Sequence, residues 1–137
     1  MEIRLISRLT AEQLKTAAML YVSAGWAEDE TVCAFICTAL AGSFIAAGAF
    51  EGEELLALGR VLSDGVSDAY IQDVVVHPAF RGRGIGGKLV RFLTEELENR
   101  GIDWIALVGE PGTEPFYKSL GFEAHEDFTL WKWKNRL

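Results

Sequence analysis

Apolar residues follow two spacings along this chain, and the spacing separates predicted strands from predicted helices. Alternation with polar residues, or a short unbroken apolar run, is typical of a strand. Such stretches predict strands at residues 2–7, 43–50, 55–62, 69–76, 102–108, 122–125 and 128–134. The second and third form a predicted hairpin around residues 51–53. The last two form another, in which Trp131 and Trp133 are predicted to pack in the core.

Apolar residues three or four positions apart predict three helices. Thr10 and Gln13 fit a capping box, in which each side chain bonds the other residue's backbone, so the first helix is predicted to start there and to end near Ser23. The second is predicted at residues 30–41, with its cap near Asp29. The third is predicted from Ile85 to about residue 100, where Gly101 ends it.

A glycine-rich turn joins the apolar run that ends at Val76 to the third helix. Its sequence is Arg81-Gly82-Arg83-Gly84-Ile85-Gly86-Gly87. Glycines leave backbone N–H groups uncovered by Cβ atoms, and a helix start adds unpaired N–H donors and the positive end of the helix dipole. The turn is therefore predicted to bind phosphate.

The charge distribution supports a small polyanionic ligand at this turn. The chain has 13 Lys and Arg against 20 Asp and Glu, a net charge of −7, yet no acid lies between Asp73 and Glu95. That stretch contains Arg81, Arg83, Lys88 and Arg91. Nucleic acid is not an expected partner, because it would need a basic stripe over a whole face. A solvated helix start whose cations only add solubility is the alternative interpretation.

Two familiar phosphate-binding patterns match the turn only in part. Gly82-x4-Gly87-Lys88 resembles a Walker A loop, but Leu89 follows where Ser or Thr would hold magnesium. Gly82-x-Gly84-x-x-Gly87 resembles the dinucleotide fingerprint, but five residues separate the strand from its first glycine. The acid expected about 20 residues further on is also misplaced, since Asp103 comes too early in the next strand.

A third pattern fits this segment without exception. Residues 81–86 match Q/R-x-x-G-x-G/A, and Val-His-Pro-x-Phe precedes them, so the chain resembles the GNAT superfamily of N-acetyltransferases. The resemblance implies that the loop amides bind the pyrophosphate of acetyl-CoA and that the preceding strand pairs with its pantetheine arm. Carried onto this chain, the implied cofactor contacts are Val74, Val75, Val76, Arg81, Gly82, Arg83, Gly84, Ile85, Gly86, Gly87 and Phe116.

A second, distant stretch carries the same resemblance. Residues 114–122 are similar to the family's short helix ending in FY-x-x-x-GF. The resemblance implies that Tyr117 lies beside the thioester sulfur, where a phenol can protonate the leaving thiolate. One position departs from the family pattern: Glu110 stands where an asparagine is frequent, so no cofactor contact is carried over to it.

The resemblance and the element order predict the same fold. The order β-α-α-β-β-β-α-β-α-β-β implies a GNAT-like α+β domain over residues 1–137. We expect a mostly antiparallel twisted sheet of about seven strands, flanked by four helices.

Acetyl transfer to an amine also needs an oxyanion donor and a route for the amine proton. The N–H of Val74 is the expected donor, because a splayed strand leaves amides free on one edge. Asp73 is the first candidate for general base, since a carboxylate inside an apolar run needs a reason. Strand alternation places it with Ile71 and Val75, so a bond to a buried backbone group or a helix cap is the alternative. Tyr70, Glu28, Glu110 and a water molecule stay open as bases.

The family resemblance places the acceptor between the first two helices and the following strands. The wall residues it implies are Tyr21, Trp26, Glu28, Asp29 and Phe44, which suit a cationic amine, although Trp26 and Phe44 could equally be core. The predicted function is an acetyl-CoA-dependent transferase that acetylates a primary amine of a small molecule or peptide by direct attack in a ternary complex. A non-catalytic acyl-CoA sensor and a nucleotide-binding protein are the alternatives.

The two cysteines and the distribution of apolar residues limit the other classes of protein that the sequence fits. Cys33 and Cys37 are predicted to be small hydrophobic residues on the second helix, without disulfide or metal. No signal peptide or membrane-spanning stretch is expected, which predicts a cytoplasmic protein with no membrane partner. The sequence leaves a homodimer open.

Overall fold

A five-stranded mixed sheet organises the first 107 residues. The structure, a computed structural model, describes residues 1–135 and divides into two compact units, with the boundary between Leu107 and Val108. In the first unit the elements are β1 (Glu2–Leu5), α1 (Ala11–Ser23), α2 (Cys33–Ala41), β2 (Ile45–Glu51), β3 (Glu54–Ser63), β4 (Asp68–Val76), α3 (Ile85–Asn99) and β5 (Trp104–Leu107). Short 3-10 turns cover Glu30–Val32 and Pro78–Phe80. The second unit contains α4 (Glu114–Ser119).

Strand order in the sheet follows the chain, β1-β2-β3-β4-β5. The first four strands pair antiparallel, because each follows its predecessor through a reversal of the chain. β5 pairs parallel to β4, because α3 carries the chain back between them. Among the described strands the sheet therefore has one parallel pair, between the two strands that α3 connects.

The start of α1 confirms the predicted capping box. The Thr10 side chain accepts from the Gln13 amide, and Gln13 Oε1 accepts from the Thr10 amide at 2.9 Å. The Gln13 side chain is buried and also donates through Nε2 to the carbonyl of Glu53 at 2.9 Å. One residue thus closes the helix start and ties it to the β2–β3 turn.

The helices of the first unit cover opposite faces of the sheet. Leu20 of α1 and Ile36 of α2 are fully buried in one cluster with Leu58 of β3. On the other face, Leu89 and Leu93 of α3 lie beside Gly59, the next residue of β3. A fully buried leucine contributes about 1.5–3 kcal/mol relative to an exposed one, so both faces stabilise the unit.

Most predicted elements are confirmed, with ends shifted by a few residues. Four α-helices occur within residues 1–135, as expected for the α+β fold. The second begins with the 3-10 turn Glu30–Val32, where Asp29 accepts from the Thr31 amide at 2.9 Å, and becomes α-helical at Cys33. The predicted cap at Asp29 is therefore present, one turn ahead of the α-helix.

The two C-terminal strands are wrong, and with them the expected count of about seven. Residues 122–125 and 128–134 are described and form no strand, so the sheet has five strands. Trp131 and Trp133 are 89% and 81% exposed, so their predicted place in the core is also wrong. Alternation fixes which side chains share a face, but a strand additionally needs a backbone partner, and the described chain supplies none here.

Within residues 1–135, no helix has the length and apolarity needed to cross a bilayer.

Candidate active site

A β-bulge interrupts β4 at the residue singled out as a candidate base. Arg60 of β3 pairs with Gln72, and Leu58 pairs with Val75, so Asp73 and Val74 both stand opposite Gly59. Asp73 has φ +55°, the only positive φ of a non-glycine residue in the described part of the chain. Aspartate tolerates this left-handed region better than most residues.

The bulge also changes which side chains share a face of the sheet. Residues paired across strands point the same way, so Val75 lies with Leu58 under α1. Ile71 pairs with Val61, three residues beyond Leu58, and therefore faces the other way. The sequence predicts Ile71, Asp73 and Val75 on one face of the strand. That prediction is wrong, because the extra residue of the bulge puts Ile71 and Val75 on opposite faces.

The carboxylate of Asp73 receives two side-chain donors on one oxygen. Tyr21 of α1 donates its hydroxyl to Oδ2 at 2.7 Å, and Arg60 of β3 donates Nε to the same oxygen at 2.7 Å. The Arg60 and Asp73 side chains are only 13% and 22% exposed. Arg60 further donates to the Ser43 hydroxyl at 3.5 Å. Asp73 therefore bonds side chains, and not the buried backbone group or helix cap considered from the sequence.

Burial and hydrogen bonding shift the pKa values of the two residues that donate to Asp73. Burial, followed by the bond to Asp73, raises the pKa of Tyr21 well above its ordinary value, so the phenol stays a proton donor at neutral pH. Burial acts to lower the pKa of Arg60, but the hydrogen bond and the charge of Asp73 outweigh it, and the net pKa is raised. The Arg60 guanidinium thus stays charged at neutral pH.

The second oxygen of Asp73 is open. No group of residues 1–135 donates to Oδ1. In that part of the chain no buried polar side-chain atom lacks a partner, so Oδ1 reaches solvent. The carboxylate has one oxygen held by protein donors and one able to accept from a bound amine.

Two aromatic rings pack against Tyr21, the residue of α1 that donates to this carboxylate. The ring of Trp26 meets that of Tyr21 edge-on at a centroid distance of 5.3 Å, and the ring of Phe35 lies 6.3 Å away. Trp26 and Phe35 are exposed, whereas Tyr21 is buried. Phe35 was not identified from the sequence, because nothing in its spacing relates it to Tyr21.

The other expected wall residues are distributed differently. Glu28 and Asp29 are exposed in the segment between α1 and α2 that also holds Trp26. Phe44 lies elsewhere: its ring is close to Gly65 and beneath the Arg100 guanidinium at 5.6 Å. The structure therefore brings Tyr21 and Trp26 together and leaves Phe44 apart.

One edge of β4 is open beyond the bulge. Parallel pairing with β5 runs from Asp68 opposite Trp104 to Ile71 opposite Leu107, and ends there. Residues 72–76 pair only with β3 among the described strands. Val74, Val75 and Val76, the expected contacts for the pantetheine arm, lie on this edge, where backbone groups can bond an extended ligand.

The glycine-rich turn follows directly from that edge. Gly82 and Gly84 both have φ +78°, and a Cβ at either position would meet no atom within 4 Å. Gly84 is the N-cap of α3, and no side chain caps the helix. The first-turn amides therefore line open space without a capping acceptor, which is the arrangement that binds phosphate oxygens.

Cations around the turn add positive potential. None of Arg81, Arg83, Lys88 and Arg91 forms an ion pair with an acid of residues 1–135. Arg81 donates Nε to the carbonyl of Val76 at 3.2 Å, and Arg83 lies over the ring of Phe80 at 5.1 Å. The residues present fit a diphosphate group bound at this helix start.

The second unit holds the candidate general acid. Tyr117 lies in α4, with its ring 4.9 Å from that of Phe116 and 5.8 Å from that of Phe122. Its amide donates to the carbonyl of Thr113 at 3.1 Å. Burial, with a smaller effect of the Glu110 charge, raises the pKa of Tyr117, so its hydroxyl carries a proton at neutral pH.

Comparison with known proteins identifies the relatives of this fold and site. The model of the Acetyltransferase (GNAT) family matches residues 5–122. Serotonin N-acetyltransferase 2, a chloroplastic protein of Oryza sativa, is 39% identical over 72 residues, which cover 53% of this chain and 36% of that protein. The matched stretches span about a third to a half of the length of such curated relatives.

Solved structures agree with the family match. A GNAT-family acetyltransferase from Streptococcus pneumoniae superposes with a TM-score of 0.77 at 29% identity, covering 99% of this chain and 98% of that one. An aminoglycoside 6'-N-acetyltransferase complexed with coenzyme A has a TM-score of 0.75 at 19% identity, covering 88% and 84%. The second likeness shows the fold alone.

The relatives overturn the expected cytoplasmic location. The rice protein is chloroplastic, as are two matched Arabidopsis thaliana relatives. These relatives therefore do not share the cytoplasmic location expected from the sequence.

Proposed function

The chain belongs to the acetyltransferase (GNAT) family, and from this premise we propose that it transfers the acetyl group of acetyl-CoA to a primary amine of a small molecule or peptide. The reaction is a direct attack by the amine within a ternary complex. The observation that carries the proposal is the continuity of two features: the open edge of β4 over residues 72–76 runs into an uncapped, glycine-rich helix start.

These two features bind different parts of acetyl-CoA. The amides of the turn, from Gly82 to Gly87, and the neighbouring cations bind the diphosphate, while the edge from Val74 to Val76 bonds the amide groups of the pantetheine arm. When bound, the cofactor supplies an activated acetyl thioester. The backbone N–H of Val74 donates to the carbonyl oxygen of that thioester as negative charge develops on it.

The amine must lose a proton before it attacks. A primary ammonium has a pKa near ~10, so it arrives protonated at neutral pH. Asp73 Oδ1 accepts a hydrogen bond from the ammonium and takes up its proton, directly or through water. Tyr117 then donates its phenolic proton to the departing thiolate, a role that suits a tyrosine held protonated by burial. The acetylated nitrogen still carries a second proton, which it loses to the Tyr117 phenolate, directly or through water, so that the phenol is restored.

The acceptor is proposed to be a cation attached to an apolar or aromatic body. Asp73 offers a carboxylate oxygen, and the exposed rings of Trp26 and Phe35 offer apolar surface and cation–π faces close to Tyr21. The rice relative is named for serotonin, an amine of this kind.

Thermal shift separates this function from its rivals. Acetyl-CoA is expected to raise the melting temperature, while ATP with magnesium and NADH leave it unchanged. Thiol release is then followed with serotonin, spermidine, a short lysine peptide and an aminoglycoside. Stabilisation by acetyl-CoA without release of thiol with any of them would favour the acyl-CoA sensor. Stabilisation by ATP or NADH alone would favour a nucleotide-binding protein.

A further inference from the structure

We propose that Arg60 and Tyr21 are positioning residues for the acceptor amine: both donate to one oxygen of Asp73 and leave only its other oxygen to receive the ammonium group. The inference rests on the proposed function and deepens it. It assigns a role to Arg60, a residue of β3 that the sequence did not single out.

The two donors approach Asp73 from different elements. Tyr21 comes from α1 and Arg60 from β3, and both reach Oδ2 at 2.7 Å. A carboxylate bonded once can rotate about its Cβ–Cγ bond and exchange its oxygens. Two donors on one oxygen oppose that rotation, so Oδ1 keeps a fixed position, and the Tyr21 donor is itself packed against the rings of Trp26 and Phe35.

The backbone conformation of Asp73 at the bulge depends on the side chains that contact it. Asp73 has φ +55°, a conformation that costs free energy for a residue with a side chain, so the surrounding contacts must hold it. The backbone of Arg60 pairs with Gln72, the residue just before the bulge, and its guanidinium forms an ion pair with the Asp73 carboxylate in the bulge. The ion pair therefore links the backbone shape of β4 to the orientation of its carboxylate.

Arg60 and Tyr21 act through Asp73 and not on the substrate. The Arg60 side chain is 13% exposed, and Tyr21 is buried with its hydroxyl engaged. Removing either donor is expected to weaken the amine complex while leaving the glycine-rich turn unchanged. If their role were purely structural, removing either donor would instead lower the stability of the fold and change the KM for the amine and the KM for acetyl-CoA alike.

The test uses steady-state kinetics of the full chain with the most active amine of the panel above. Arg60→Met is expected to raise the KM for the amine about tenfold, as loss of a charge-assisted hydrogen bond does, and Tyr21→Phe about threefold. The KM for acetyl-CoA stays within about twofold. Arg60→Lys, which retains the charge but not the Nε geometry, recovers part of the loss.

A double variant distinguishes action through Asp73 from independent effects. If both residues act through one carboxylate, Arg60→Met combined with Asp73→Asn has the same amine KM as Asp73→Asn alone, within about twofold. Arg4→Met is the matched control, because Arg4 also pairs with a carboxylate, Glu2 at 3.4 Å, and lies over an aromatic ring, Phe50 at 3.8 Å. It is expected to change neither KM.

The results distinguish a failure of the proposed function from a failure of this inference. A parent chain that binds acetyl-CoA but acetylates none of the amines overturns the proposed function and this inference with it. Two results with an active parent overturn the inference alone. In one, the increases in amine KM caused by Arg60→Met and Asp73→Asn multiply in the double variant; in the other, Arg60→Met changes the KM values for the amine and for acetyl-CoA equally. Should Arg60→Met not fold, Arg60→Lys and Tyr21→Phe, each combined with Asp73→Asn, give the same comparison.

Discussion

Gly59 lies directly beside Val74 across the bulge, where a Cβ at position 59 would come within 3.4 Å of Val74 Cγ2. The same Cβ would lie 3.1 Å from Cδ1 of Leu93 on α3. The bulged strand and the helix thus approach β3 at a position where glycine leaves the room for both.

Gly59→Ala is therefore expected to destabilise the fold. The added methyl group must displace Leu93 or Val74 in a closely packed region, which costs about 1–3 kcal/mol. Urea unfolding measures the change. The control is Gly42→Ala, since a Cβ there would make an ordinary contact of 3.5 Å with the Thr38 carbonyl. Equal stability of the two variants would show that the bulge does not need glycine opposite it.

The glycine-rich turn and the helix that follows it could be predicted from the sequence because their signals are local. Glycines, cations and the start of an amphipathic helix all fall within about ten residues, and the observed α3 begins at the predicted Ile85. The capping box at Thr10 was predictable for the same reason, since it involves residues three positions apart.

The carboxylate site could not be read from the sequence in the same way. Asp73 meets Arg60 from 13 positions away and Tyr21 from 52, and a one-residue bulge decides which side of the sheet it faces. The C-terminal strands failed for a related reason. Alternation around Trp131 describes a possible strand, but whether it pairs depends on backbone groups far along the chain.

Gly84→Ala is expected to weaken acetyl-CoA binding specifically. An alanine at φ +78° is strained by about 1–2 kcal/mol, and its methyl group would enter the open space in front of the first-turn amides. We expect the KM for acetyl-CoA to rise about tenfold and the KM for the amine to stay unchanged. Gly101→Ala carries the same strain at φ +82°, again with no atom within 4 Å, but lies at the other end of α3. A similar loss of acetyl-CoA affinity in Gly101→Ala would attribute the effect to strain and not to the phosphate site.

Tyr117→Phe is expected to lower kcat about hundredfold with both KM values unchanged, because it removes a proton donor and keeps the ring. The melting temperature, measured in parallel, should stay within a few degrees, since the contacts with Phe116 and Phe122 involve the ring. Because the pKa of Tyr117 is raised above its ordinary value of about 10, kcat of the parent should not fall through loss of this proton below pH ~10. Full activity of the phenylalanine variant would remove Tyr117 from the mechanism.

Alkaline pH is expected to destabilise the fold through Tyr21. The folded state raises the pKa of this phenol, whereas the unfolded chain releases its proton near the ordinary value of about 10. Above that pH the folded state holds more protons than the unfolded state, so the free energy of unfolding falls as pH rises, and below it the contribution is fully present. Urea unfolding between pH 9 and 11 measures the slope. Tyr21→Phe should make it shallower, and an equal slope in the two proteins would contradict the assignment.

Trp131 and Trp133 are expected to contribute little to the stability of the folded chain. Their side chains are 89% and 81% exposed, so unfolding exposes little additional apolar surface there. The double substitution Trp131→Ser and Trp133→Ser should change the free energy of unfolding by less than about 0.5 kcal/mol, as surface changes usually do. Leu93→Ala, at a fully buried position of α3, should cost about 2–5 kcal/mol in the same urea titration. A loss in the tryptophan variant comparable to that of Leu93→Ala would show that these rings are buried in solution.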